Sequence, residues 1–332
     1  MLFSVLIPVY NAEEYITETV QSVLKQSEQD FEIVLLDDGS KDNSREICRQ
    51  LCNKDASKIR FYYQKNSGVL FARRKLAELS KGDYLLFVDS DDLLEKNALS
   101  AIKYTIQKTH ADLVVFDLMK ISDKGNERYT LPFENNQIFH SHEKYSIYCE
   151  LLKTKYLNGI YQKTFKRDCF DFEANYDDVK NMRIAEDIYQ SMPIMDKAET
   201  IAYIKEPLYI YCKNHGGATS SVKLNDIKWD YKLYDRQNEY IKKWKISDED
   251  IQTISENRMR RILGFLSVYA KQNNDSSYKQ FKEYARSIKN NKYYMEAKEK
   301  ASINNLQKIY KLDIVLLKMH CYHILFQLHK RV

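Results

Sequence analysis

The sequence predicts an α/β fold: a mostly parallel sheet with helices on both faces, followed by an appended helical C-terminal region. Three observations lead there. Apolar runs of strand length alternate with stretches of helical period over residues 1–118. Acidic or polar loops follow the apolar runs, at what would be the carboxyl ends of the strands, where open α/β sheets bind ligands. Beyond Asn225 the strand signal gives way to a helical pattern rich in lysine and tyrosine.

Phe3 to Val9 reads as a buried strand, and Ile16, Val20, Val23 and Leu24 then share one helical face. Asn11 is placed to cap that helix, with Glu14 three residues on as its capping-box partner. Phe31 to Leu36 is the second strand, and a helix carrying Ile47 and Leu51 follows. Ile59 to Tyr63 is the third strand, with a helix over about Val69 to Leu79. Tyr84 to Val88 is the fourth, Asn97 to Thr109 is helical, and Leu113 to Leu118 is the fifth strand. Alternation at this spacing means βαβ units. Past residue 118 the elements shorten: a turn at "SDKGNE", a short piece at Gly159 to Lys163, a helix after Glu186, and strands near Ile201 and from Leu208 to Lys213. We therefore expect three parts, residues 1–118, 119–224 and 225–332.

With 44% hydrophobic and 30% charged residues in 332, the composition is that of an ordinary globular protein. Six scattered cysteines without a Cys-x-x-Cys read as reduced structural thiols. The N-terminus lacks a basic region ahead of its apolar run, which Pro8 interrupts, so no signal peptide is expected. No run approaches the roughly 18 apolar residues of a membrane span. The expectation is a cytoplasmic protein, peripheral on the inner face of the membrane if it meets one. The net charge of +5 is uneven: residues 225–332 carry 22 Lys and Arg against 13 Asp and Glu, a net of +9, which leaves −4 for the rest.

The chemistry concentrates in "YLLFVDSDDLL", Tyr84 to Leu94, where a buried strand runs into three carboxylates. Asp89 and Asp91, two apart in extended chain, project to one side. Hard carboxylate oxygens in small number suit Mn²⁺ or Mg²⁺, with phosphate oxygens completing the shell. A second Asp-x-Asp, Asp248 to Asp250, follows no strand and reads as a solvated surface or helix start. Asp37 and Asp38 end the neighbouring strand, where a carboxylate can accept hydrogen bonds from a nucleoside, although Asp-Gly-Ser is also good turn chemistry. No G-x-G-x-x-G follows the first strand and no G-x-x-x-x-G-K-[ST] occurs, which disfavours a dinucleotide oxidoreductase or a P-loop ATPase.

Taken in order, "SVLIPVYNAEEYITETV", "FEIVLLDDGSKDNS", "NSGVLFARRKLAELSKGD" and "YLLFVDSDD" resemble the nucleotide-sugar-binding half of the family 2 glycosyltransferases of GT-A fold. The resemblance implies that Pro8, Tyr10 and Asp38 hold the nucleoside, that Arg73 lies near base and phosphates, and that Asp89 and Asp91 form the metal-binding Asp-x-Asp. The family commonly follows that arginine with Asn-x-Gly; here Arg74, Lys75 and Leu76 follow. "RIAEDIYQ" is similar to the family's Glu-Asp motif and implies Asp187 as catalytic base, at a helix N-terminus whose dipole suits a carboxylate. Ala185 stands where many members have glycine. His215, in a polar loop after a strand, can reach the metal or a phosphate. The likeness makes residues 1–118 the donor-binding half and 119–224 the acceptor-binding and catalytic half.

The expected function is thus an inverting hexosyl- or N-acetylhexosaminyl-transferase, moving a sugar from a UDP-sugar to a hydroxyl of a glycan or lipid-linked acceptor, in cell-surface polysaccharide synthesis. The rival readings are a nucleotidyltransferase, which would want a Gly/Arg/Lys-rich loop after the first strand, and an inactive homologue serving as partner subunit. No nucleic-acid motif accompanies the basic charge. The 26 tyrosines read as amphipathic packing, and none is assigned to an acceptor. In the last segment Ile314, Val315, Leu316, Leu317, Ile324, Leu325, Phe326 and Leu328 mix with Lys311, Lys318, Lys330 and Arg331. Such a basic amphipathic helix either lies on an anionic membrane or packs on protein, the catalytic domain or a second subunit of a homo-oligomer.

Overall fold

Strand β1 (Phe3–Val9) is apolar on both faces, and a strand of that kind needs cover on both. The computed structural model describes residues 1–123, 125–212, 223–272 and 278–331, without the side chains of Gln272 and Arg331. The chain divides into two units, residues 1–220 and 221–332.

In the first unit the elements run α1 (Ile16–Leu24), β2 (Phe31–Asp37), α2 (Ser44–Lys54), β3 (Ile59–Tyr63), α3 (Val69–Leu79), β4 (Tyr84–Phe87), β5 (Leu93–Leu94) and α4 (Ala98–Thr109). Then come β6 (Leu113–Ser122), β7 (Gly125–Tyr129), β8 (Ile138–Phe139), α5 (Tyr145–Lys153), β9 (Lys163–Lys166), α6 (Glu186–Lys197) and β10 (Ile201–Cys212). The sheet order is β3-β2-β1-β4-β9-β6-β10-β5, with β7 on β6 and β8 on β10. β3, β2, β1 and β4 are parallel, as the alternation predicts. β9 then enters antiparallel to both β4 and β6. The two strands expected near Ile201 and Leu208 are one, β10. Its register against β6 shifts on either side of Pro207, a residue with no N–H to give a ladder.

The core joins Phe3, Val5 and Ile7 to Ile16, Val20 and Val23 of α1 and to Ile33, Leu35 and Leu86 of the neighbouring strands. α1 begins at Ile16, later than the Asn11 cap would place it. Asn11 instead takes a left-handed φ of 51° and its Oδ1 accepts from the Lys41 N–H at 2.8 Å, binding the first loop to the second.

The second unit is helical: α7 (Ile227–Lys243), α8 (Asp248–Gln272), α9 (Tyr278–Lys289), α10 (Lys292–Lys300), α11 (Lys308–Lys318) and α12 (Tyr322–Arg331). Asp248 to Asp250 open α8, where the Asp250 N–H donates to Ser247 Oγ at 3.2 Å. The basic C-terminal segment is two helices and not one, and its apolar residues are mostly spoken for. Ile314, Leu316, Leu317, Leu325 and Phe326 are buried in the unit's own core with Phe265, Leu266 and Phe281. Val315 and Ile324 stay exposed, as do Leu312 and Met319. Among the described residues no helix is long and apolar enough to cross a membrane.

Candidate active site

The floor of the site is built where β1 and β2 end. The Asp38 N–H donates to the Val9 carbonyl at 2.8 Å. The buried Asp38 carboxylate accepts from Gln64 Nε2 and from the Ser67 N–H, both at 2.8 Å, and from the Gly68 N–H at 3.0 Å. Asp37 accepts from the Ser40 N–H at 3.0 Å and pairs with Arg45 at 2.8 Å. The loops meet backbone to backbone: a Cβ on Gly68, whose φ is 89°, would stand 2.6 Å from the Lys180 carbonyl oxygen. That clearance and that φ admit only glycine.

The three aspartates after β4 separate into roles. Asp92 is buried; its carboxylate accepts from the Tyr209 hydroxyl at 2.7 Å and from the Cys212 N–H at 2.8 Å, which ties the loop to β10. Asp89 and Asp91 line the cavity. Burial pushes Asp89 up to about 6, with Arg73 pulling down and the Asp187 and Asp91 carboxylates adding to the push. Burial followed by Asp89 and Asp91 raises Asp92 as well. Crowded carboxylates of this kind carry an excess of negative charge that a dication would relieve.

Arg73 joins this loop to the start of α6. Its guanidinium is buried, and Nη1 lies 2.7 Å from Asp187 Oδ1 while Nη2 donates to Asp89 Oδ1 at 3.3 Å. Nη1 also donates to Gln190 Oε1 at 3.3 Å, and Gln190 Nε2 in turn donates to the Tyr176 hydroxyl at 3.2 Å. Burial alone would lower Arg73; Asp187, Asp89 and Glu186 outweigh it and raise it. The adjacent Arg74 points elsewhere, donating to the Ala174 carbonyl at 2.9 Å. Glu186 and Asp187 form the first turn of α6. Burial, then the Asp187 carboxylate, push Glu186 up to about 7 against the pull of Arg73. Ala185 precedes them with a φ of 64°, the left-handed region where glycine is at ease.

Pro8, Tyr10, Asp38, Arg73, Asp89 and Asp91 thus line one cavity of about 460 Å³, within the range of small-molecule sites. Asp187 reaches that group through Arg73. His215 lies outside the described residues. The sequence reading missed Lys180 and Arg183, which line the cavity from the loop before α6, and Gln190, which holds Arg73. Two cations within six residues of Glu186 were the available signal. Among the described residues no three His, Cys, Asp or Glu side chains gather as a metal cage. Asp89 and Asp91 could hold a hard divalent cation only with ligand oxygens completing its shell, and phosphate oxygens suit that chemistry.

Residues 4–165 match the profile described as Glycosyl transferase family 2. An uncharacterized glycosyltransferase of Bacillus subtilis, EpsJ, is 29% identical over 228 residues, which cover 66% of this chain and 63% of that protein. Glycosyltransferase GlyG of Streptococcus pneumoniae is 38% identical over 129 residues, 39% of this chain and 42% of that protein. The matches therefore span less than two thirds of these relatives. Among solved structures, S. aureus TarS 1–349 in complex with UDP-GlcNAc superposes with a TM-score of 0.57 at 19% identity, covering 100% of this chain and 90% of that one. At that identity the likeness speaks for the fold alone.

Proposed function

Because residues 4–165 match the family 2 glycosyl transferases and the fold is of GT-A type, we propose that the chain transfers a sugar from a nucleotide-diphosphate sugar, a UDP-sugar, to a hydroxyl of a glycan or lipid-linked acceptor, with inversion. The observation that supports this reading best is the Arg73 bridge, which sets Asp89 of the Asp-x-Asp pair and Asp187 of the Glu-Asp pair on one guanidinium. Pro8, Tyr10 and Asp38 border the nucleoside end of the cavity, and Lys180 and Arg183 offer positive charge to a diphosphate. Asp89 and Asp91 are the residues that would hold Mn²⁺ or Mg²⁺, and the ion, when bound, compensates the charge of the departing diphosphate. Asp187 takes the proton of the acceptor hydroxyl. The freed oxygen forms its bond to the anomeric carbon from the face opposite the diphosphate, whose C–O bond breaks. Arg73 positions Asp187 for this step.

The test is slow hydrolysis and transfer of a UDP-sugar by the purified chain in Mn²⁺. Asp91→Ala should abolish both the reaction and metal-dependent UDP binding. Full turnover in excess EDTA would remove the metal from this reading. UDP that neither binds nor protects the chain from thermal unfolding would overturn the donor assignment.

A lipid-linked acceptor is compatible with the second unit. Leu312 and Val315 on α11 and Met319, the residue just after it, are exposed, and the helix also carries Lys308, Lys311 and Lys318. Charge of this kind gains about 1 kcal/mol per cation near an anionic membrane surface. In co-sedimentation with phosphatidylglycerol vesicles at low salt the full chain should pellet, and the triple change to serine at Leu312, Val315 and Met319 should stay in solution. Equal supernatants would assign this face to protein contacts.

A further inference from the structure

A second, smaller cavity of about 180 Å³ lies beside the first, and Tyr211 lines both. Its walls are aromatic. Tyr161 stacks on Tyr211 with centroids 6.3 Å and planes 25° apart, and Tyr129 leans on Tyr156 at 5.2 Å. Tyr161 stacks on Tyr209 as well, at 4.8 Å, and the Tyr209 hydroxyl accepts from the Asp89 N–H at 3.1 Å while donating to Asp92. The rings are therefore anchored to the same loop that carries the Asp-x-Asp pair.

Gln162 lines this cavity too. It is 2% exposed, and its Nε2 has no hydrogen-bond partner. Buried amide donors are almost always satisfied, so an orphan one on a residue that lines a cavity asks for an acceptor atom from a ligand. Two cations complete the lining. Lys155 is exposed, and Lys120 lies 3.8 Å from Glu127 and donates to the Tyr129 hydroxyl at 3.3 Å. The volume falls below the roughly 300 Å³ at which drug-sized sites begin, so it suits one ring and not an oligosaccharide.

We propose that this pocket is an acceptor subsite for a single sugar ring carrying a negative charge, a carboxylate or a phosphate. The apolar ring face lies on the tyrosines, a ring or hydroxyl oxygen accepts from Gln162 Nε2, and the anionic group faces Lys155 and Lys120. The assignment rests on the glycan-transfer reading, and it puts the acceptor on the side of Tyr211 away from the nucleoside.

Ligand-observed saturation-transfer NMR on the full chain with UDP present separates the outcomes. Methyl glucuronide and glucose 6-phosphate are the charged probes, and methyl glucoside is the neutral one. At least one charged probe should bind about tenfold more tightly than the neutral one, the scale of one hydrogen bond to a charged group. Which one does so tells carboxylate from phosphate. Lys155→Ala should erase most of that preference, and Tyr156→Ala should weaken every probe about tenfold. Gln162→Leu should weaken binding without lowering the melting temperature, because it removes a donor that the fold leaves unpaired. UDP binding should be unchanged in all three. Equal binding of charged and neutral probes, or variants indistinguishable from the parent, would overturn the subsite while leaving the donor reading intact. Loss of UDP binding by the parent chain, with the probe pattern retained, would overturn the donor reading and leave the subsite supported.

Discussion

Each unit of the molecule gathers a cluster of ionisable side chains, and the two clusters are arranged differently. In the helical unit Ser267 Oγ lies 2.6 Å from His329 Nδ1, and His329 Nε2 lies 2.9 Å from Asp313 Oδ1. The His329 and Asp313 side chains are 1% and 0% exposed, one acid to one imidazole, sealed in helix packing. In the sheet unit the single Arg73 faces Asp89, Glu186 and Asp187, and the Asp89 and Asp187 side chains stay 29% and 22% exposed. Ser, His and Asp in a row are nominally the more catalytic residue types, yet only Ser267 is partly exposed, and the imidazole and acid behind it are closed off. Residue type and burial do not make a site; unbalanced charge left beside open space does.

The largest effect that would sharpen this contrast is on Asp187. Asp187→Asn keeps the shape and removes the proton acceptor, so transfer should fall by about two to four orders of magnitude with UDP affinity unchanged, measured by kcat and by titration of UDP. Near-normal kcat would reduce Asp187 to a partner of Arg73. On the other side of the comparison, His329→Ala leaves Asp313 without its partner and should cost about 1–3 kcal/mol of stability in denaturant melts. Its kcat and KM below the melting temperature should match the parent. A change in KM at intact stability would mean that the sealed cluster communicates with the reaction, and the contrast would break.

The third effect is one of pH. Folding raises Glu186 from an ordinary value of 4.5 to about 7. A carboxylate raised in the native state favours folding when protonated, so its contribution is fully present below about 4.5 and is lost as pH rises through 7. Glu186→Gln should flatten that decline, seen as a smaller drop in melting temperature from pH 5 to pH 8. An unchanged slope would mean that Glu186 is ionised throughout. The smallest effect concerns Ala185, whose φ of 64° costs a residue with a Cβ about 1 kcal/mol. Ala185→Gly should raise stability by up to that amount with little change in kcat, and a loss of stability would contradict the strained cap.

What the sequence made legible follows from this physics. β1 to β4 are continuous apolar runs because both faces are covered, and such runs announce themselves. β9 did not, because Lys163 looks like a surface residue; in the fold its ammonium donates to the Leu157 and Gly159 carbonyls, each at 2.6 Å, and burial pushes it down to about 7. Asp89, Asp91 and Asp38 were legible from their place at strand ends. Arg73 was assigned to base and phosphates by likeness alone, and its grip on two carboxylates needs residues 16 and 114 positions away, a distance in sequence that no local pattern encodes. Tyr129, Tyr156, Tyr161 and Tyr211 read as scattered because the pocket that gathers them is made only when β6, β7 and β10 pair. The last helices left two kinds of partner open, lipid or protein. Ile314, Leu317 and Leu325 have an amphipathic spacing that suits either, and the unit's own core takes these three.

The three donors on Asp38 carry a consequence for how ligand entry is timed and what it requires. Gln64, Ser67 and Gly68 are held on one buried carboxylate by the chain's own groups. Ordering a backbone residue costs about 1–2 kcal/mol of conformational entropy, and for this loop that cost falls on folding, once, and not on each encounter with a ligand. A site floored this way behaves as a rigid receptor at that end. Association there should show a single fast phase with no slow loop-closing step, and the heat capacity change should reflect only the surface covered.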